Sequence, residues 1–261
     1  MGVYYNEYDP FAANWLRQLI KAGHIPPGDV DERSIEDVTP DEIIHYTSHH
    51  FFAGIGGWAY ALHLAGWPDD RPVVTGSPPC QPFSSAGKGK GFADERHLWP
   101  AFLWIIRHLQ PATLFGEQVS SKAGWAWFDV VSADLEAHGY AVGAADLCAA
   151  GVGAPHIRQR LYFVADAPCK RIRKIPIRQG RQNKASTYIK RRGGFTAGFW
   201  ADAEWLPCLD GKARAVEPGI EPLAYGLPAR VGRLRGYGNA IVAPLAAEFV
   251  GAYMEAADGT G

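Results

Sequence analysis

The sequence predicts an α/β fold in which helices cover both faces of a mainly parallel sheet. Short β-type runs alternate with segments whose apolar residues recur at helical spacing, and glycines end several of these segments. The first pair is a strand over Val3–Asn6 and a helix over Pro10–Ala22, which stops at Gly23. Such alternation is typical of parallel sheets, and 261 residues with 47% hydrophobic content suffice for one large core.

The remaining elements follow the same pattern. A second strand is predicted around Val30, and a third over residues 50–53 leads into a glycine turn and a helix over residues 58–65. The later predictions are strands at 73–75, 113–115, 140–148 and 161–165, and helices at 98–108, 128–138 and 243–253.

A basic segment interrupts this pattern after Ala167. Residues 170–192 contain ten lysines and arginines and no acidic residue, although the net charge of the whole chain is only -1. We expect a main domain of residues 1–165 and 226–261 with a small inserted region at 166–225. The segment is either a solvated basic loop or a local patch for a polyanion. Its candidate contacts are Lys170, Arg171, Arg173 and Arg181.

Cysteine spacing and hydropathy exclude several classes of protein. The four cysteines lie far apart without metal-ligand spacing, so no metal site is expected. No apolar run approaches the roughly 20 residues that cross a bilayer, so no membrane role is expected. Without a signal-peptide pattern, a reduced cytoplasmic compartment fits best.

Cys80 is the candidate nucleophile. It follows the predicted strand at 73–75 in a loop that includes Pro78, Pro79 and Pro82, and the carboxyl end of a strand is where ligand sites of such sheets lie. Prolines fix the backbone around the thiol. A thiolate that adds to C6 of cytosine makes C5 nucleophilic enough to accept a methyl group. The alternative is a small buried cysteine with a packing role.

Glu117 and two arginines are the candidate partners of Cys80. Glu117 follows the predicted strand at 113–115, where a carboxyl group could hydrogen-bond N3 and the exocyclic amine of the base. Arg158 and Arg160 alternate at the start of the strand at 161–165, so two guanidinium groups on one face could hold Glu117, the base O2 and a phosphate. Surface ion pairing is the alternative for the arginines.

Four motifs in order resemble the DNA cytosine-C5 methyltransferases. They are Pro79-Cys80-Gln81, Glu117-Gln118-Val119, Arg158-Gln159-Arg160 and Gly238-Asn239-Ala240. The resemblance implies a Rossmann-like methyltransferase fold, S-adenosylmethionine as cofactor and double-stranded DNA as partner. It also implies that Cys80 is the nucleophile, Glu117 the N3 partner and Arg160 a base contact. Gln81 and Ser84 join the basic residues as candidate DNA contacts, and a monomer is expected.

The resemblance extends to a cofactor site with a displaced order of motifs. The turn at residues 52–57 is similar to the family's first motif, but too few residues separate it from Cys80 for the ribose and adenine strands. These match the amino terminus instead, so Glu7 is expected at the ribose, Tyr8 on the adenine and Asp29 at its amino group, in a permuted strand order. The other expected cofactor contacts are Phe52, Ala53, Gly54, Gly56, Gly57, Pro79, Leu98, Asn239 and Ala240.

Three departures from the family pattern and several alternatives stay open. His50 stands in place of an acid, Gln118 in place of an asparagine and His156 in place of a glutamine. The alternatives are an RNA cytosine-C5 methyltransferase, an amino-group methyltransferase with a Ser-Pro-Pro-Tyr loop, an enzyme of the thymidylate synthase type, and a catalytically decayed DNA-binding protein. A solitary, a restriction-linked and a phage-protective enzyme, in a bacterial or phage-infected cell, would look alike.

Overall fold

A computed structural model describes residues 2–79, 98–154, 156–167, 204–207, 213–216 and 239–257. Its strands are β1 (Val3–Asn6), β2 (Gly28–Asp31), β3 (Ser48–Phe51), β4 (Val73–Gly76), β5 (Thr113–Val119), β6 (Ala141–Cys148), β7 (Gln159–Asp166), β8 (Glu204–Pro207) and β9 (Ala213–Val216). Its α-helices are α1 (Pro10–Ala22), α2 (Pro40–Ile43), α3 (Gly57–Leu64), α4 (Trp99–Leu109), α5 (Lys122–Ala137) and α6 (Ala243–Ala257). Two 3-10 helices cover Ile35–Asp37 and Ala149–Val152.

Among the described residues, seven strands form one sheet in the order β2-β1-β3-β4-β5-β7-β6. The five strands from β2 to β5 are parallel, and β7 runs antiparallel to both β5 and β6. The first strand of the chain therefore pairs with the third, and β3 lies between β1 and β4. The predicted α/β class with a mainly parallel sheet is confirmed.

Helices cover both faces because neighbouring residues of a strand point to opposite sides. On one face, Leu114 of β5 packs in a cluster with Phe102 of α4 and Val131 of α5. On the other face, Phe115 packs with residues of α3 and α6, among them Trp58 and Ala246. The helix α1 joins the α3 side, where Leu16 packs against Tyr5 and Ala59.

The ends of α1 follow the local sequence. The Asp9 side chain accepts hydrogen bonds from the backbone N–H groups of Phe11 and Ala12 at 2.9 and 3.1 Å, which caps the first turn. Gly23 ends the helix with a φ of 74°, a left-handed conformation that favours glycine. The predicted bounds of this helix are confirmed.

Other boundaries differ from the sequence prediction. The strand β5 continues to Val119 and α5 begins at Lys122, six residues before the predicted start. The short α2 and the paired strands β8 and β9 were not predicted. Within the described part of the chain, no helix has the length and apolarity needed to cross a membrane. Most of the predicted inserted region, 166–225, lies outside the described residues, so its boundaries remain a prediction.

Candidate active site

A cavity of about 780 Å³ opens at the carboxyl ends of the central parallel strands. The strand register explains its position, because Asn6, Phe51, Gly76 and Gly116 form one row across β1, β3, β4 and β5. The residues that follow this row face the cavity. The predicted site residues that line it are Glu7, Tyr8, Phe52, Ala53, Gly54, Gly57, Pro79, Leu98, Glu117, Arg158, Arg160, Asn239 and Ala240.

The Glu7 carboxylate joins the end of β1 to the glycine turn after β3. Its Oε2 accepts a 2.6 Å hydrogen bond from the Gly54 N–H, and its Oε1 accepts a 2.9 Å hydrogen bond from the Asp9 N–H. Burial raises the pKa of Glu7, and these two hydrogen bonds partly oppose that shift. The resemblance implied that Glu7 and the turn at residues 52–57 belong to one cofactor site, and the structure brings them together.

The glycine turn has a strained backbone that holds it against the cavity. Phe52 has a φ of 52°, which is unusual for a residue with a side chain, and its ring contacts Phe102 edge-on at 5.7 Å between centroids. A Cβ atom at Gly57 would lie 2.7 Å from the Ile241 side chain, so glycine is required for close packing there. The carboxyl-terminal segment that contains Ile241 thus closes one side of the cavity.

Gly56 does not line the cavity, in contrast to the sequence prediction. It has a φ of 82°, and a Cβ atom there would lie 3.2 Å from side-chain atoms of both Leu16 and Ile25. The left-handed turn and the close packing toward α1 both favour glycine at this position.

Asp29 also lies outside the cavity, and the structure does not support its predicted contact with the adenine. It is the second residue of β2, within the sheet, and its Oδ2 accepts a 2.6 Å hydrogen bond from the Tyr46 hydroxyl. It borders a separate depression of about 300 Å³. The corresponding end of the main cavity is lined by Ser34, Ile35 and Glu36, which sequence reasoning missed.

A local signal could have identified this segment. Ser34 caps the 3-10 helix by accepting a hydrogen bond from the Glu36 N–H at 3.4 Å, and serine is among the preferred residues at the start of a helix.

Glu117 and the two arginines form the opposite end of the cavity. The Glu117 side chain is buried, and its Oε1 lies 2.8 Å from the Nε of Arg160. Burial raises the pKa of Glu117, while the positive charges of Arg160 and Arg158 oppose that shift. Arg158 donates from Nη2 to the Ala240 carbonyl oxygen at 2.9 Å, which ties the strand β7 to the carboxyl-terminal segment.

The three departures from the family pattern lie in different surroundings. His50 is buried outside the cavity, its Nδ1 is 2.7 Å from the Thr75 Oγ1, and burial lowers its pKa to about 3, so its ring is neutral. Gln118 is buried at the cavity and donates from Nε2 to the Pro78 carbonyl oxygen at 3.3 Å. His156 is exposed.

Several predicted residues lie outside the described part of the chain. They are the nucleophile Cys80 and the candidate DNA contacts Gln81, Ser84, Lys170, Arg171, Arg173 and Arg181. Their roles remain predictions. The described residues contain no cluster of three or more histidine, cysteine or acidic side chains that could hold a metal ion.

Comparison with known proteins agrees with this geometry. Residues 67–192, just under half of the chain, match the model of the C-5 cytosine-specific DNA methylase family. Over this stretch the chain is similar to the family. The match includes Glu117, Arg158 and Arg160 but begins after the glycine turn, so it does not test the displaced order of the cofactor motifs.

Curated relatives of the chain are named Type II methyltransferases. M.AplI of Arthrospira platensis is 36% identical over 104 residues, which cover 39% of this chain and 29% of the relative. M.NlaX of Neisseria lactamica is 35% identical over 123 residues, or 46% of this chain and 39% of the relative. M.AquIA of a Picosynechococcus strain is 27% identical over 172 residues, which cover 61% of this chain and 60% of the relative. The chain thus spans between about a third and three fifths of the length of these relatives.

Among solved structures, a DNMT2 variant of Spodoptera frugiperda is similar with a TM-score of 0.47 and 18% identity. The similarity covers 77% of this chain and 51% of the other.

Methylases of this family use S-adenosylmethionine, and the cavity fits that cofactor. Its volume of about 780 Å³ suits a ligand of this size. Glu7 offers a carboxylate for the ribose hydroxyls, and Tyr8 lies at the cavity with 73% of its surface exposed, free to stack on a planar base. The segment 34–36 and Phe52 enclose the same end.

Proposed function

We propose that this chain transfers a methyl group from S-adenosylmethionine to C5 of a cytosine in double-stranded DNA. One observation carries the proposal: a single cavity joins the Glu7 and Gly54 turn to the Glu117 and Arg160 pair. The first set suits the cofactor, and the second suits a base that gains negative charge during the reaction. The loop that leads to Cys80, with Ser77, Pro78 and Pro79, lines the space between them.

In the proposed reaction, the Cys80 thiolate forms a bond to C6 of the cytosine while N3 receives a proton. The ring becomes an enamine whose C5 takes the methyl group that the cofactor supplies when bound. Loss of the C5 proton to a base, return of the N3 proton to its donor and departure of the thiolate from C6 then restore the aromatic ring. The net change is replacement of one hydrogen by a methyl group, and the thiolate is regenerated.

Glu117 suits the N3 position because it can carry a proton. The raised pKa of this buried carboxyl group favours the protonated form more than in an exposed glutamate. The Nε of Arg160 lies 2.8 Å from Oε1 and fixes the orientation of the carboxyl group. Arg158 fixes the neighbouring segment through the Ala240 carbonyl oxygen. Glu117 is therefore our candidate proton donor, and Arg160 keeps its carboxyl group in place.

A cytosine within a duplex cannot reach the cavity, so the target base must leave the stack. Unstacking costs a few kcal/mol, and phosphate contacts can offset that cost. The basic segment 170–192 is our candidate for these contacts, as part of a target-recognition region at 166–225. Because the curated relatives are named Type II methyltransferases, we propose a role in restriction-modification.

The test is incubation of the purified chain with unmethylated duplex DNA and labelled S-adenosylmethionine. Nucleoside mass spectrometry should detect 5-methylcytosine, and bisulfite sequencing should place it in a fixed sequence context. A parallel reaction with transfer RNA tests the RNA alternative. Cofactor binding without product on DNA would contradict the proposal, and product on RNA alone would replace its substrate.

A further inference from the structure

Two side chains from different elements hold the loop at residues 77–79, which leads to Cys80. The Trp58 Nε1 donates a hydrogen bond to the Ser77 Oγ at 3.0 Å, and Gln118 Nε2 donates to the Pro78 carbonyl oxygen at 3.3 Å. Trp58 directly follows Gly57, the last residue of the glycine turn at residues 52–57, and Gln118 directly follows Glu117. Each contact therefore links the loop to one half of the cavity.

The sequence of the loop explains why side chains must do this. Pro78 and Pro79 have no backbone N–H, so the loop has few donors of its own after β4 ends at Gly76. The hydrogen-bonding groups that the loop still has include its carbonyl oxygens and the Ser77 hydroxyl. A neighbour that donates to these groups can set the position of the loop, and Trp58 and Gln118 both act as donors.

Trp58 is held rigidly enough to serve as such an anchor. It is the second residue of α3 and is only 4% exposed. Its ring stacks on Phe115 at 6.0 Å and meets Tyr162 edge-on at 6.1 Å between centroids. Because Phe115 and Tyr162 enclose the ring, its N–H donates to Ser77 from a fixed position relative to the glycine turn.

We propose that Trp58 is a positioning residue that sets the place of the loop at residues 77–79 relative to the glycine turn through its hydrogen bond to Ser77. The inference rests on the proposed function, because it assigns Trp58 a part in bringing the thiol and the methyl donor together. Trp58 itself is not assigned a chemical step. A displacement of about 1 Å between reacting groups can lower a rate about 100-fold.

The test uses Trp58→Phe, Ser77→Ala and the double variant that combines them. Ser77→Thr, which keeps the hydroxyl group, is compared with all three. Trp67→Phe is the matched control. Trp67 is also buried, its ring contacts the same Phe115 at 5.5 Å, and its Nε1 donates to the Arg71 carbonyl oxygen at 3.0 Å, away from the cavity.

Two readouts are needed. The first is the rate of methyl transfer to DNA in a single turnover, measured beside the affinity for S-adenosylhomocysteine. The second is the pH profile of Cys80 alkylation by iodoacetamide, followed on the Cys80 peptide by mass spectrometry in the full-length chain. The second readout needs no DNA and no turnover.

We expect each single variant to lower the transfer rate about 10- to 100-fold while affinity for S-adenosylhomocysteine stays within about twofold. Both should shift the Cys80 alkylation profile by the same amount, and the double variant should be no worse than the single ones. Ser77→Thr keeps the hydroxyl acceptor, so it should recover part of the transfer rate and of the alkylation profile that Ser77→Ala loses. Trp67→Phe should lower stability without changing either readout.

The inference would be overturned if the pH profile of Cys80 alkylation in Trp58→Phe and Ser77→Ala were the same as in the wild type. Additive effects in the double variant, or the same shift in Trp67→Phe, would also overturn it, because these would indicate general loosening of the core. If the wild type makes no 5-methylcytosine, the proposed function fails, but the alkylation profiles still decide whether Trp58 positions the loop.

Discussion

Glu7→Gln should weaken cofactor binding more than any change that only removes surface charge. In the structure, both carboxylate oxygens of Glu7 accept backbone hydrogen bonds, from Gly54 at 2.6 Å and from Asp9 at 2.9 Å. An amide can present one oxygen, and its NH2 group would face the second N–H. The substitution therefore disturbs the glycine turn and also removes the negative charge proposed to bind the ribose hydroxyls.

The expected magnitude follows from the number of charged hydrogen bonds. A hydrogen bond to a charged group contributes about 1.5–3 kcal/mol. Loss of one such bond in the complex corresponds to a decrease in affinity of about 10- to 100-fold. The disturbance of the Gly54 turn acts in the same direction, so the decrease should not fall below this range.

The pH dependence of binding provides a second measure of the same group. Burial raises the pKa of Glu7, so its carboxylate gains a proton at a higher pH than an ordinary glutamate does. Protonation removes acceptor capacity for the ribose hydroxyls. Affinity should therefore be full above this raised pKa and should fall as the pH is lowered through it. Glu7→Gln should lose this pH dependence.

The assay is isothermal titration calorimetry with S-adenosylhomocysteine across a pH series. Asp29→Asn is the matched control, because Asp29 is an acid near the same sheet edge but is bonded to Tyr46 and lies outside the cavity. The affinity of Asp29→Asn for S-adenosylhomocysteine should equal that of the wild type. The proposed role of Glu7 is refuted if the affinity of Glu7→Gln lies within twofold of that of the wild type, or if Asp29→Asn weakens binding as much as Glu7→Gln does.

Three further predictions concern chemistry and packing. Cys80→Ala should abolish 5-methylcytosine formation and leave S-adenosylhomocysteine affinity nearly unchanged, and residual product would remove Cys80 as nucleophile. Glu117→Gln should lower single-turnover methyl transfer about 100- to 10,000-fold because it cannot give a proton to N3, and a rate near wild type would exclude that role. Gly116→Ala should destabilise the fold by about 1–3 kcal/mol in urea unfolding, because its Cβ would collide with the buried Phe163 ring, whereas Gly143→Ala, with its nearest neighbour at 3.9 Å, should be mild.

Much of the site was predictable because strand ends can be read from the sequence. Glu7, the turn at 52–57 and the loop at 77–79 each follow a short β-type run, and the carboxyl ends of parallel strands meet at one edge of a sheet. Glu117 also lines the cavity, although its strand continues to Val119, and its role there stays a prediction. The sequence hid this length because Gly116 and Glu117, which are buried in β5, are residue types that are depleted in strands.

Contacts between distant elements could not be predicted in the same way. The hydrogen bond from Trp58 to Ser77 requires that α3, which follows β3, and the loop after β4 lie on the same side of β5. That arrangement depends on the full strand order. The neutral state of His50 depends on its burial against Thr75 of the neighbouring strand. Sequence reasoning identified the position of His50 as unusual but could not show that it faces away from the cavity.

The different positions of Asp29 and Glu7 follow from the row of paired residues at the sheet edge. Asp31 of β2 pairs with Asn6 of β1, so Asp29 lies two residues, or about 7 Å, before the end of its strand. Glu7 lies one residue beyond the end of its own strand, where it reaches the cavity. The cavity lies beyond this row, so Ser34 and Glu36, which follow β2, line it and Asp29 does not. The same row explains why the chain order of the strands matters little to chemistry: β3 lies between β1 and β4 however the chain connects them, and the residues that follow each strand meet in one place.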